Sequence, residues 1–111
     1  MSYKQVYLWH IVMIGPLLTY IGHNMEKANV NAFNALGLLT LLIPFVVGIP
    51  KNKLTFHNLV LLGHHLIWVP LFLYVAYKKT ELSPILFPFI LYLGLSVIAI
   101  HSYLLYKSIM L

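Results

Sequence analysis

Four apolar runs divided by short polar stretches lay out the chain, covering about residues 6–22, 32–49, 56–77 and 84–106. The third, Phe56 to Tyr77, holds no ionisable residue of either sign except three histidines and one pair of tyrosines. Each run reads as a helix close to the length needed to cross a hydrocarbon layer of about 30 Å. The connections are polar: His23 to Asn31 carries Glu26 and Lys27, Pro50 ends the second run before Lys51-Asn52-Lys53, and Lys78-Lys79-Thr80-Glu81 closes the third. Gly15-Pro16 falls inside the first run, where a missing backbone donor predicts a kink near Val12 to Pro16. Pro84 and Pro88 stand near the start of the fourth run, where proline is best tolerated.

The expected fold is therefore all-α: a single transmembrane domain over residues 1–111, an integral membrane four-helix bundle running up-down-up-down. An internal similarity suggests two repeated hairpins. His10 to Tyr20 reads HIVMIGPLLTY and His64 to Tyr74 reads HHLIWVPLFLY, matching at His, Pro, Leu and Tyr with an offset of 54. The first and third spans run in the same direction, so such a repeat would relate parallel hairpins about an axis along the membrane normal.

Composition strengthens the membrane reading. Only 8% of residues are charged and 61% are hydrophobic, against about 25% charged in a soluble domain, so the lipid bilayer is the expected main partner. The net charge of +5 comes from seven lysines that flank the apolar runs, which fits anionic headgroups and not nucleic acid. With four spans both termini share a side; Lys4, Lys51, Lys53 and Lys107 against Lys27, Lys78 and Lys79 place that side in the cytoplasm. The first run lacks a small-residue cleavage pattern after Gly22 and is expected to remain a span. No cysteine is present, which removes disulfides, thiolate metal sites, iron–sulfur clusters and covalently attached haem. Asn34, Gly37, Leu41 and Gly48 share a helix face narrow enough for close contact, implying a homo-oligomer or a larger membrane complex.

The chemistry rests on histidine. His10, His101 and His64 lie roughly 6, 8 and 12 Å inside their spans at 1.5 Å of rise per residue, so three helices offer imidazoles to one half of the membrane. His64 shares a stripe with His57 and Trp68, while His65 and Asn58 lie on another, 80° to 100° round. Gly63 beside the pair allows a close approach to the backbone. A histidine at this depth either bonds to the next helix or marks a functional site.

Three functional readings follow, with an accessory or structural subunit as the alternative to all of them. The first is a proton or ion channel or transporter, in which His10, His64, His65 and His101 form a relay, Trp68 a plug, and Asn34 and Asn58 hold water. In the second, His10 and His64 (or His65) on diagonal helices bind haem b from opposite sides, broadly similar to bis-histidine membrane cytochromes. The third is a metal held by His10, His64 and His101. Serine hydrolase chemistry is poorly served, for no nucleophile motif and no Asp is present, and the residues lean away from an enzyme without deciding the point.

Overall fold

A computed structural model describes residues 3–47 and 56–110, and among these the chain is helical with no strand. Four rods account for it. The first, α1, joins an α-helix Tyr3–Trp9, a π-helical turn His10–Ile14 and an α-helix Gly15–Asn24. The second, α2, is Val30–Val47. The third, α3, joins Phe56–Gly63, a π-helical turn His64–Trp68 and Val69–Lys78. The fourth, α4, is Leu86–Met110. Lys4–Lys27 and Leu86–Met110 are each long and apolar enough to cross a membrane.

The π turns have a local cause. Pro16 and Pro70 have no N–H to donate to the carbonyl four residues back, and their rings crowd that carbonyl. In each case the helix takes up one extra residue just before the proline: the Gly15 N–H bonds to the His10 carbonyl, and the Val69 N–H to the His64 carbonyl. The defect expected near Val12 to Pro16 is thus a widened turn, and the same turn recurs in α3.

That recurrence runs through the whole chain at an offset of 54. Both α1 and α3 end in a residue at positive φ, Met25 at 56° and Lys79 at 53°, each opening a 3₁₀ turn, Met25–Lys27 or Lys79–Glu81. Ala28 N–H then bonds to the Met25 carbonyl and Leu82 N–H to the Lys79 carbonyl. The described apolar core consists of matched pairs at the same spacing: Leu18 and Phe72, Ile21 and Val75, Ala28 and Leu82, Phe33 and Phe87, Leu36 and Ile90. The similarity legible between residues 10–20 and 64–74 therefore extends to residue 90, where sequence identity has faded but burial has not.

The two halves interlock. The main contacts join α1 to α4 and α2 to α3, so each close pair takes one rod from either half. A Cβ at Gly22 would overlap the backbone of Leu91, and a Cβ at Gly37 would lie 3.0 Å from the Cβ of Ala76. These contacts are equivalents with the small residue exchanged, for Gly22 matches Ala76 and Gly37 matches Leu91. Close approach of this kind needs small residues on one side.

Several boundaries differ from expectation. His23 and Asn24 belong to α1, and Met25–Lys27 is a 3₁₀ turn, so little of the connection is irregular. Asn29 caps α2 by accepting the Asn31 N–H on Oδ1 at 2.8 Å, which starts this helix ahead of residue 32. Within the chain the small-residue stripe on α2 is not the face that packs: Asn34 is exposed and Leu41 is 56% exposed, whereas Phe33, Leu36 and Thr40 are buried. Among its described residues Gly37 meets another helix, at Ala76. Gly48, Lys51 and Lys53 lie outside the described residues.

Close packing at Gly22 sets the first expected outcome. Gly22→Ala should destabilise the detergent-solubilised protein by about 1–3 kcal/mol through overpacking, read from the denaturation midpoint on titration with sodium dodecyl sulfate. Gly63→Ala, with nothing within 4 Å of the new methyl, should be neutral or stabilise by up to about 1 kcal/mol from helix propensity. Equal effects at the two positions would contradict the packing described.

Candidate functional site

The packed core occupies the half of the bundle nearest the turns, between the levels of Leu36 and Ala28. Toward the chain termini the described residues line a half-open cavity of about 330 Å³, within the roughly 300–1,000 Å³ range of small-molecule sites. Its walls are almost wholly apolar. All four rods contribute: Trp9, His10 and Ile14 from α1, Leu36 and Thr40 from α2, His64, Trp68 and Phe72 from α3, and Leu93, Ser96, Val97 and His101 from α4.

The three histidines gather here. The His10 and His101 rings stack in parallel, with centroids 4.1 Å apart and planes 1° from coplanar. His64 stands across from His10 with a centroid separation of 6.3 Å and perpendicular planes at 89°. Tyr7 is tilted against His101 at 6.1 Å.

Their hydrogen bonds decide which ring nitrogen is free. His10 Nδ1 lies 2.7 Å from the Val6 carbonyl, His64 Nδ1 2.8 Å from the Val60 carbonyl, and His101 Nδ1 2.7 Å from the Val97 carbonyl. A carbonyl oxygen only accepts, so Nδ1 donates in all three, and the neutral ring then carries a bare lone pair on Nε2. Each bond reaches one turn back along its own helix. This pins the ring, satisfies its donor and leaves the other nitrogen for a guest, the arrangement by which imidazole ligands are usually oriented.

Of the remaining expected site residues, Trp68 is half-buried and stacks on Phe72 at 6.0 Å, forming part of the wall. Gly63 precedes His64 with open space beside it. Asn34 is on the outward face of α2 and is removed from the cavity set. The side chains of His65 and Asn58 lie outside those described. Two residues not foreseen join the site. Trp9 walls the cavity, and Thr40 lines it with its buried hydroxyl donating to the Leu36 carbonyl at 2.6 Å. Trp9 adjoins His10 in sequence, a signal available without the structure; Thr40 had none.

Among the described residues no group of three histidines, cysteines or carboxylates is disposed to hold one ion. Parallel stacking of His10 on His101 sets their nitrogens side by side instead of converging on a point. Comparison with protein-family models, curated proteins and solved structures gives no match to this chain.

The tautomer is directly measurable. In protein labelled with ¹⁵N at histidine and held at alkaline pH, the signals of His10, His64 and His101, assigned by single substitution, should show protonated Nδ1 and unprotonated Nε2. Protonated Nε2 at His10 or His64 would mean that the backbone bonds are not made and the free nitrogen faces the other way.

Proposed function

We propose that the chain is a multi-pass integral membrane protein of four spans that holds a small guest in the histidine-lined cavity between its two hairpins. The observation that carries this reading is the convergence of His10, His64 and His101, from three different helices, on one apolar cavity. An apolar chamber with a few fixed polar groups is the usual form of a binding site. Support for the membrane setting comes from Lys4–Lys27 and Leu86–Met110, each long and apolar enough to span, and from the outward faces, where Leu38, Leu66, Ile85, Tyr92 and Ile109 are all more than 60% exposed. Surface of that kind is suited to lipid. The lysine distribution favours cytoplasmic termini.

A second reading has one observation in its favour: the His101, His10 and His64 rings lie in succession, with centroid steps of 4.1 and 6.3 Å. Against conduction across the membrane stands the solid half of the bundle. Leu18, Ile21, Phe33, Leu36, Phe72, Val75, Phe87 and Ile90 fill the interior between the cavity and the turns, with no file of polar groups among them for water or an ion to follow.

Two measurements test these statements. Because the chain lacks cysteine, single substitutions Lys4→Cys, Lys27→Cys, Lys79→Cys and Lys107→Cys report sidedness by reaction with an impermeant maleimide in intact cells. The expected result is that Lys4→Cys and Lys107→Cys behave alike and opposite to Lys27→Cys and Lys79→Cys. In liposomes, proton flux should stay at the level of empty vesicles; flux above it that is lost in His64→Ala would replace the binding reading with conduction.

A further inference from the structure

Resting on the proposal that the cavity holds a guest, we infer that the guest is a haem b whose iron is bound axially by His10 and His64. The inference starts from a pair of imidazoles. His10 and His64 come from two different rods, their ring centroids are 6.3 Å apart, and each has Nδ1 bonded to its own helix backbone, which leaves Nε2 as the ligating nitrogen. Two imidazoles on opposite sides of a six-coordinate metal leave four equatorial positions, which a porphyrin supplies.

The separation agrees. With metal–nitrogen bonds of about 2.0 Å, imidazoles on opposite sides of one metal have ring centroids roughly 6 Å apart; His10 and His64 are 6.3 Å apart. Their ring planes are perpendicular, an orientation two axial imidazoles can adopt independently, because each rotates about its own bond to the metal.

The surroundings match the rest of the cofactor. Trp9, Trp68 and Phe72 give the cavity aromatic walls, suited to the faces and edges of a flat apolar ring. Lys4 and Lys107 lie six residues beyond His10 and His101 toward the open end of the bundle, roughly 9 Å along the helix rise, where two cations would meet the carboxylates of the macrocycle. With no cysteine in the chain no thioether attachment can form, which agrees with a noncovalent haem such as haem b. His10 and His64 also occupy equivalent places in the two halves, so a symmetric pair of ligands sits where the repeat is symmetric. His101 has no histidine counterpart, since Val47 stands 54 positions before it; stacked on His10, it is a positioning residue that fixes the plane of the axial ring.

Spectrophotometric titration of the detergent-purified protein with ferric protoporphyrin IX, followed by dithionite reduction, tests the assignment. The expected product is a six-coordinate low-spin haem with a Soret band shifted from that of free haem and resolved visible bands on reduction. His10→Gly and His64→Gly should each weaken binding by at least about tenfold, the loss that removal of even an outer partner of a ligand commonly causes. Added imidazole should restore the low-spin spectrum in each, which separates lost ligation from lost folding. His101→Phe should keep a low-spin spectrum but alter the electron paramagnetic g values that report axial ring orientation. Metal-free protoporphyrin IX bound as tightly as haem, with neither glycine variant affected, would overturn the ligation while leaving the guest-binding cavity standing. Failure to bind either porphyrin, together with native mass spectra free of any small-molecule adduct, would overturn both.

Discussion

Pro16 and Pro70 cannot donate the hydrogen bond that an α-helix requires of them, and the extra residue each helix absorbs in response sets the geometry of both halves of the molecule. One residue added to a turn rotates everything before it by about 100° relative to everything after it. In α1 the stretch carrying Val6 and His10 is thereby aimed independently of the stretch carrying Leu18 and Ile21. In α3 the same holds for Val60 and His64 against Phe72 and Val75. Each rod can then present large apolar side chains to a packed core at one end and an imidazole to a cavity at the other.

The rest of the architecture follows from repeating that device. The α1–α2 hairpin has its equivalent in α3–α4, down to the positive φ at Met25 and Lys79 and the paired core residues from Leu18 and Phe72 to Leu36 and Ile90. Interlocking α1 with α4 and α2 with α3 makes neither hairpin complete alone, since its apolar face is buried against the other. Departures from the repeat are concentrated where the chain does something particular. Glycine at Gly22 lets α1 close onto the backbone of Leu91, while its counterpart Ala76 packs on Gly37 at a more ordinary distance. Thr40 and Gly94 are matched in position and both buried, but Thr40 lines the cavity while Gly94 packs closely against Thr19 of α1. His101 adds a third imidazole to one half only.

Among the described residues the packed core lies toward one end of the bundle and the cavity toward the other. The packed end gains from dispersion contacts among Phe33, Phe87, Leu18 and their neighbours. At the other end the described side chains line the cavity, and the atoms that face it lack such contacts on that side. Three imidazoles with their donors satisfied and their acceptors open are a poor filling by themselves. They become favourable when something takes the lone pairs, which is why the cavity reads as a place for a guest.

Much of this was legible in the residues. Low charge and four apolar runs yield an all-helical chain of four rods, and His10, His64 and His101 fall at a similar level, because height along a helix is a matter of counting. The repeat was visible at His10 to Tyr20 and His64 to Tyr74, where the proline and the histidine demand particular residues. It faded beyond, where Ala28 and Leu82 or Leu36 and Ile90 need only be apolar. Rotation about the helix axis was another matter. Asn34, Gly37 and Leu41 suggested a seam that the structure turns largely outward, for a nearly uniform apolar helix has no strong preferred face and its neighbours choose one. The sequence by itself determined the number and kind of the elements and roughly where each lies, quantities set by backbone geometry and by the alternation of apolar runs with polar stretches. Only the tertiary structure decided which faces meet, because the π turns reset the rotation within α1 and α3 and the contacts between halves select among the faces that remain.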